Sequence, residues 1–331
     1  MELHKLQTHK LPNLSQLLKV QKIVTHKFCA DGMASAMILH DALPDAEIEF
    51  LAYNTKEFSE LKAKPNMLFC DFSPPEDRAQ EFIDQNSIVL DHHKGVKNLV
   101  QRFKHYAFAD EIEDPGISGA NLAFQCVWFP IKTFYNSLSS EYLVKILEFQ
   151  ELAGIRDTFQ TNHIKWNKAR RQAEVLTFYT SAYWLNEERD TTRSHSGPFL
   201  SEAEMTLGHT LVTHLDSMVE KVVKEAYHFT AVNGLRCAVF QGGKVTSDAA
   251  EKLRKDGIDV IAGFSYAVVD DQPKISFSLR SNGKFNVAEF AQCFGGNGHT
   301  KAAGCSVNLN LGSPNPYQQF ENMIKTWHES C

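Results

Sequence analysis

The chain has 331 residues, 43% of them hydrophobic and 22% charged, a balance that fits a soluble globular protein long enough for two domains. Its formal net charge of −6 argues against a protein that wraps long duplex nucleic acid, which needs a basic stripe to neutralise phosphates. No stretch approaches the roughly 20 apolar residues of a membrane span, no apolar leader opens the chain, and seven cysteines without regular spacing fit a reducing compartment. A cytoplasmic protein with no membrane partner is expected, and any phosphorylated ligand would have to be small or short, held by a local site against the negative net charge.

In chain order, Ile23 to Thr25 is a short β-branched run, followed by an apolar helical stretch from Met33 to Leu43. Met67 to Cys70 is a second buried-strand candidate, ending at Asp71 and the breaker Ser73-Pro74-Pro75, which opens a helix over Glu76 to Gln85. Ser87 to Leu90 is a third, ending at Asp91-His92-His93. Gly116 to Gly119 precedes a helical run from Ala120 to Trp128, so its amides could meet an anion at a helix N-terminus, although plain capping by Ser118 serves as well. Arg170 and Arg171 read as a solvated helix face, with a nucleotide contact as the alternative. The polar segment Asn186 to Pro198 reads as a linker. Ser201 and Glu204 then form a capping box before a long helix carrying Leu207, Leu211, Leu215, Met218 and Val222. Cys237 to Phe240, Val260 to Gly263 and Ile275 to Leu279 predict strands of a second, smaller domain.

The fold class is therefore α/β: an N-terminal parallel-sheet domain (1–190), a linker and connecting helix (191–228), and a smaller C-terminal α/β domain (229–331). His26, Asp31, Asp71 and Asp91-His92-His93 all follow the carboxyl ends of predicted parallel strands, the edge where open α/β sheets bind ligands. A lone Asp there is commonly a helix cap and a lone His a satisfied polar residue. Three such clusters at successive strand ends would instead crowd carboxylates that repel unless protons or cations neutralise them. Two divalent ions bridged by one carboxylate suit in-line displacement at phosphorus.

The ordered set His26-Lys27-Phe28-Cys29-Ala30-Asp31-Gly32, Asp71, Asp91-His92-His93 and Gly154-Ile155-Arg156-Asp157-Thr158 resembles the motifs of the DHH superfamily of phosphoesterases. That resemblance implies a first ion held by His26 and Asp71, with Asp71 bridging to a second ion held by Asp31, His92 and Asp157. Asp91 and His93 would orient His92 or the substrate, and Asp71, Asp91 and His93 form the catalytic set. Cys29 departs from the aspartate usual at its position: it either ligates as thiolate, tilting preference toward zinc or iron, or stays a neutral thiol. Manganese suits the mixed carboxylate and imidazole set, with Zn²⁺, Fe²⁺ or Mg²⁺ as alternatives.

Phe294-Gly295-Gly296-Asn297-Gly298-His299-Thr300-Lys301 resembles the glycine-histidine loop of the DHH-associated C-terminal domain, and Arg280-Ser281 its phosphate-gripping pair. Read alone, the loop is a turn whose glycines would let amides approach an anion. The resemblance assigns Arg280, Ser281, Gly295, Gly296, Gly298 and His299 to substrate binding, and implies a cleft between the metals and these groups. The expected function is hydrolysis of short oligonucleotides by a water that two metals activate, as in nanoRNases and RecJ-type exonucleases. Alternatives are a cyclic- or linear-dinucleotide phosphodiesterase, a phosphoadenosine-phosphate phosphatase, an exopolyphosphatase, or a silent nucleotide sensor. The sequence leaves a homodimer open.

Overall fold

Alternation within three short apolar runs builds the N-terminal sheet. Ile23, Leu68, Cys70, Ile88 and Leu90 face one hydrophobic core, while Val24, Phe69 and Val89 face another, so the sheet is covered on both sides. Fully burying each such aliphatic or aromatic side chain contributes about 1.5–3 kcal/mol. The computed structural model describes residues 8–27, 29–53, 55–110, 116–135, 139–179, 199–231, 233–269, 272–309 and 315–330. The expected linker from Asn186 to Pro198 lies in 180–198, outside the described residues.

The first sheet has the order β1-β6-β5-β4-β2-β3, from β1 (Thr8–Lys10), β2 (Lys22–His26), β3 (Glu47–Leu51), β4 (Met67–Cys70), β5 (Ile88–Asp91) and β6 (His105–Phe108). Strands β2 to β6 run parallel, and β1 pairs antiparallel with β6. The chain places β3 on one side of β2 and β4 on the other, so the direction of winding reverses between β2 and β4. The carboxyl ends at such a reversal open a crevice.

Strand β3 escapes the sequence reading because Glu47 and Glu49 interrupt its apolar pattern. Both acids pair with buried Lys22 on β2, at 3.1 and 2.6 Å, which is how charge is accommodated on this edge strand. Helix α1 (Ala30–Ala42) is buried from Asp31 to Leu39, as expected of a helix apolar all round. Helix α2 (Gly119–Ala123) continues as a π-helical turn over Phe124–Trp128, irregular backbone of the kind found near functional sites. Helix α3 (Ser140–Asp157) and α4 (Trp166–Phe178) follow. Arg170 in α4 is buried, correcting the solvated face expected there; Arg171 is half-buried.

Two compact units divide within α5 (Glu202–Glu225), between Val212 and Thr213. Ser201 and Glu204 exchange both capping-box hydrogen bonds before it, at 2.6 and 3.3 Å. Leu211 packs on the first unit's core, and Leu215 and Val219 belong to a core of the second. The second sheet has the order β11-β12-β10-β9-β8-β7, from β7 (Tyr227–Thr230), β8 (Arg236–Gln241), β9 (Val260–Val269), β10 (Gln272–Ser281), β11 (Asn297–His299) and β12 (Ala302–Asn308). It is mixed: β8 and β9 are parallel, joined through α6 (Thr246–Lys255), and the other pairs are antiparallel. Among the described residues no helix is long and apolar enough to cross a membrane.

Asp259 ties one corner of this second sheet. Its buried carboxylate accepts from the Arg236 amide at 2.9 Å, Asn282 Nδ2 at 2.8 Å and Lys284 Nζ at 3.0 Å. The Arg236 amide foremost, then Lys284 and Asn282, hold its pKa down at about 2 against the opposing effect of burial. A carboxyl depressed from roughly 3.9 stabilises the fold above pH 4, and that contribution fades as pH falls through about 2. Asp259→Asn should cost about 1–2 kcal/mol at neutral pH. In denaturant melts the gap from the parent should narrow between pH 4 and pH 2.

Candidate metal centre

Each strand at the winding reversal hands a side chain to the crevice. His26 ends β2, Cys29 is the N-cap of α1, and Asp31 lies in the first turn of α1. Asp71 immediately follows β4, and its φ of 56° lies in the left-handed region that non-glycine residues avoid. Asp91 ends β5, with His92 and His93 next, and Asp157 is the last residue of α3. A strained conformer at such a point is held by its surroundings: the Asp71 amide donates to Leu90 O at 3.0 Å.

The structure brings all of these together. His92 Nε2 lies 3.1 Å from Asp71 Oδ1, 3.5 Å from Asp157 Oδ2 and 3.8 Å from Asp31 Oδ2. Burial alone would push the His92 imidazole down, but Asp157, Asp71 and Asp31 outweigh it and raise the pKa to about 10. Asp71 shows the reverse: burial, then the nearby Asp31 carboxylate, lifts it to about 7 despite the His92 bond. Asp157 is raised for the same two reasons. Burial, with Asp71, Asp157 and Asp31 around it, pushes the Cys29 thiol well up. Burial and then His93 lower His26.

Asp91 has a different task. Its Oδ1 accepts from the His92 and His93 amides at 2.7 and 3.0 Å and from His93 Nδ1 at 2.8 Å, while Ser73 Oγ donates to its Oδ2 at 2.6 Å. Burial would raise its pKa, yet the bond from His93 and the two imidazole charges hold it at about 2. It is a fully engaged positioning group that sets the His93 ring. Tyr53 belongs to the same frame: its hydroxyl accepts from the Ser73 amide at 2.9 Å, its ring stacks on Phe72, and both rings flank His26.

The amides expected to meet an anion at the start of α2 do so, and the anion is the chain's own Asp31. Ser118 Oγ donates to Asp31 Oδ1 at 2.7 Å, the Gly119 amide to Oδ2 at 2.6 Å and the Ala120 amide to Oδ1 at 3.1 Å. Gly119 is required by this approach, because a Cβ there would collide with Asp71 Cβ and stand 2.8 Å from Asp31 Oδ2. Ser73, Tyr53, Ser118 and Gly119 were outside the expected site, and only Ser118 and Gly119 lay in a stretch with any anion-binding signal.

Among the described residues, three groups each bring their ligand atoms within 4.8 Å of one another: His26, Cys29 and Asp71; Asp71, His92 and His93; Asp31, His92 and Asp157. Two of them, the first and last, share no residue, and together they use all six residues expected to hold metal. Asp71 Oδ2 and His26 Nδ1 are buried without a hydrogen-bond partner. A buried acceptor left unsatisfied is costly, and a divalent cation is the group that fits an oxygen and a nitrogen so placed. The donor set therefore fits metal ions.

The C-terminal residues fare unevenly. Arg280 is half-buried on β10 (Gln272–Ser281), and its two hydrogen bonds go to uncharged groups, Leu279 O at 2.8 Å and Ser247 Oγ at 3.1 Å. Ser281 is buried with its hydroxyl spent on Phe285 O at 2.8 Å and Thr300 O at 3.3 Å, so it braces the turn and does not offer a free donor. The glycine-rich segment is a hairpin, with β11 (Asn297–His299) laid on β12 (Ala302–Asn308). The Gly295 and Gly296 amides donate to Gln292 O and Ala291 O, which corrects the expectation that they approach an anion. Gly298, with φ 149°, lies where a Cβ would strike Ala303 Cα. His299 is exposed at the end of β11.

Gly119→Ala should push the Asp31 and Asp71 carboxylates apart and weaken divalent-metal binding by roughly ten- to a hundredfold. Calorimetric titration with Mn²⁺ checks this, and unchanged affinity would mean that the close approach of α2 is immaterial to the centre.

Residues 240–330 match the DHHA1 domain family. No curated protein matches the sequence. The structure resembles that of a pGpG-specific phosphodiesterase from Vibrio cholerae, with a TM-score of 0.55 and 14% identity over 94% of this chain and 99% of that one. It resembles equally the DHH domain of a member of a family of ribosomal proteins, with a TM-score of 0.55 and 10% identity over 96% of this chain and 87% of that one. These likenesses show a shared fold. The family match is to the C-terminal residues, and the ordered motifs that resemble those of the DHH phosphoesterases gather at one sheet edge of the N-terminal unit.

Proposed function

We propose that this phosphoesterase hydrolyses the phosphodiester bonds of short oligonucleotides, using two divalent ions at the β2–β4–β5 strand ends. The observation that carries the reading is the pair of ligand groups without a common residue, His26–Cys29–Asp71 and Asp31–His92–Asp157, around the unsatisfied Asp71 Oδ2. When bound, the ions would neutralise phosphate charge and make a water acidic enough to serve as nucleophile. Manganese is the metal proposed where the donors are oxygen and nitrogen, as in Asp31–His92–Asp157.

The chain's own residues divide the remaining work. Asp71 belongs to the first ligand group and touches the second through its hydrogen bond with His92, so it is the carboxylate proposed to bridge the two ions. His93 has Nδ1 anchored on Asp91, which leaves Nε2 for a proton or a phosphate oxygen of the substrate. Arg280, with only neutral partners on its guanidinium, offers a planar fork for a further phosphate, and exposed His299 a second contact. The net charge of −6 fits a short ligand held at such points.

A linear dinucleotide is the shortest such ligand, and the fold shared with a pGpG-specific phosphodiesterase over nearly the full length of both chains favours testing it first. The purified protein with Mn²⁺ should cleave pGpG or short RNA faster than cyclic dinucleotides, phosphoadenosine phosphate or polyphosphate. Binding without turnover of any of them would instead identify a nucleotide sensor. Asp71→Asn should lower kcat by about a thousandfold, and full activity in that variant would refute the assignment. His299→Ala should raise KM by roughly tenfold with little change in kcat. Chelation followed by Mn²⁺ addition should abolish and then restore turnover.

A further inference from the structure

The two ligand groups are chemically unlike. One presents an imidazole nitrogen, a carboxylate oxygen and the sulfur of Cys29; the other presents two carboxylate oxygens and an imidazole nitrogen. Sulfur is a soft donor that favours zinc and ferrous iron over manganese and magnesium, whereas two carboxylates and one imidazole suit a harder ion. Cys29 is in no disulfide, half-buried, and sits at the N-cap of α1, where its sulfur joins His26 and Asp71 within 4.8 Å. Buried Asp71 Oδ2 and His26 Nδ1 in that same group have no other partner. Resting on the metal reading above, we infer that the His26–Cys29–Asp71 position takes a thiophilic divalent ion through Cys29 sulfur, while Asp31–His92–Asp157 takes a harder, more readily exchanged one. The centre is then built for two different metals.

On binding, the Cys29 S–H proton passes to solvent and a sulfur–metal bond takes its place; no electron is transferred. The second position differs in more than its donors. Its Asp31 is already held by Ser118 Oγ and two amides, and each hydrogen bond reduces the charge its oxygens offer a cation. Asp157 keeps a quarter of its side chain exposed, so this position also lies nearer to solvent. Both features favour weaker, faster-exchanging binding there.

The test uses the full chain stripped of metal and titrated with Co²⁺. The first equivalent should produce a near-ultraviolet sulfur-to-cobalt charge-transfer band. The band should be absent in Cys29→Ser and in Cys29→Asp, and the latter should also shift the ratio of zinc to manganese affinity toward manganese by about tenfold or more. Metal analysis after dialysis against a mild chelator should find zinc or iron retained near one equivalent in the parent and lost in Cys29→Ser. A parent protein that binds Co²⁺ without the band overturns the inference, with no appeal to a variant. So does a band that survives in folded Cys29→Ser, since another thiol would then be responsible. Turnover of phosphoesters with Mn²⁺ but no band would sink this inference and leave the proposed function standing. A Cys29-dependent band without turnover of any substrate would do the reverse.

Discussion

Packing Asp31, Asp71 and Asp157 around one imidazole is the constraint to which the rest of the N-terminal unit answers. Carboxylates so close in a low-dielectric crevice repel, and each must find a positive partner or take up a proton. The protein supplies partners to some and withholds them from others. Asp31 has the start of α2, and neighbouring Asp91 has two amides, an imidazole and a hydroxyl. Asp71 keeps one oxygen buried and unsatisfied. That division separates Asp91, whose oxygens are spent on shaping the crevice, from Asp71, which is left to bind within it, with Asp31 held in place by the helix terminus while still grouped with His92 and Asp157.

Backbone conformation enforces the division. The left-handed turn at Asp71 ends β4 abruptly and redirects the chain, while Gly119 lets a helix terminus come into contact with two carboxylates at once. Neither feature would be needed in a protein that required only a stable sheet. Their coincidence with an orphaned acceptor ties strain to binding.

Much of this was legible in the sequence because acids and imidazoles follow short apolar runs at His26, Asp71 and Asp91. Such runs are buried on both faces, so a parallel sheet and its carboxyl edge could be inferred from them. What escaped notice depends on contacts between distant segments. Nothing local marks Ser73 or Tyr53 as the supports of Asp91 and His26, and strand β3 was hidden by glutamates whose partner, Lys22, lies on another strand. The C-terminal motifs show the opposite limit. Glycines at 295 and 296 look like an anion cradle in sequence, yet the preceding helix claims their amides, and Ser281 turns inward to brace a turn. A motif gives residue types; which of their donors remain free is decided by the backbone around them.

Placing ligands directly at strand ends also ties the centre to sheet register. Leu68 and Cys70 point into one core and Phe69 into the other, so shifting β4 by a single residue would exchange the two sets and carry Asp71 to the wrong face. The two hydrophobic cores thus act as a proofreading device: a mispaired strand is rejected by its misplaced bulk before it can present a carboxylate. Because the donors span residues from His26 to Asp157, the complete set is assembled only once that whole stretch has folded.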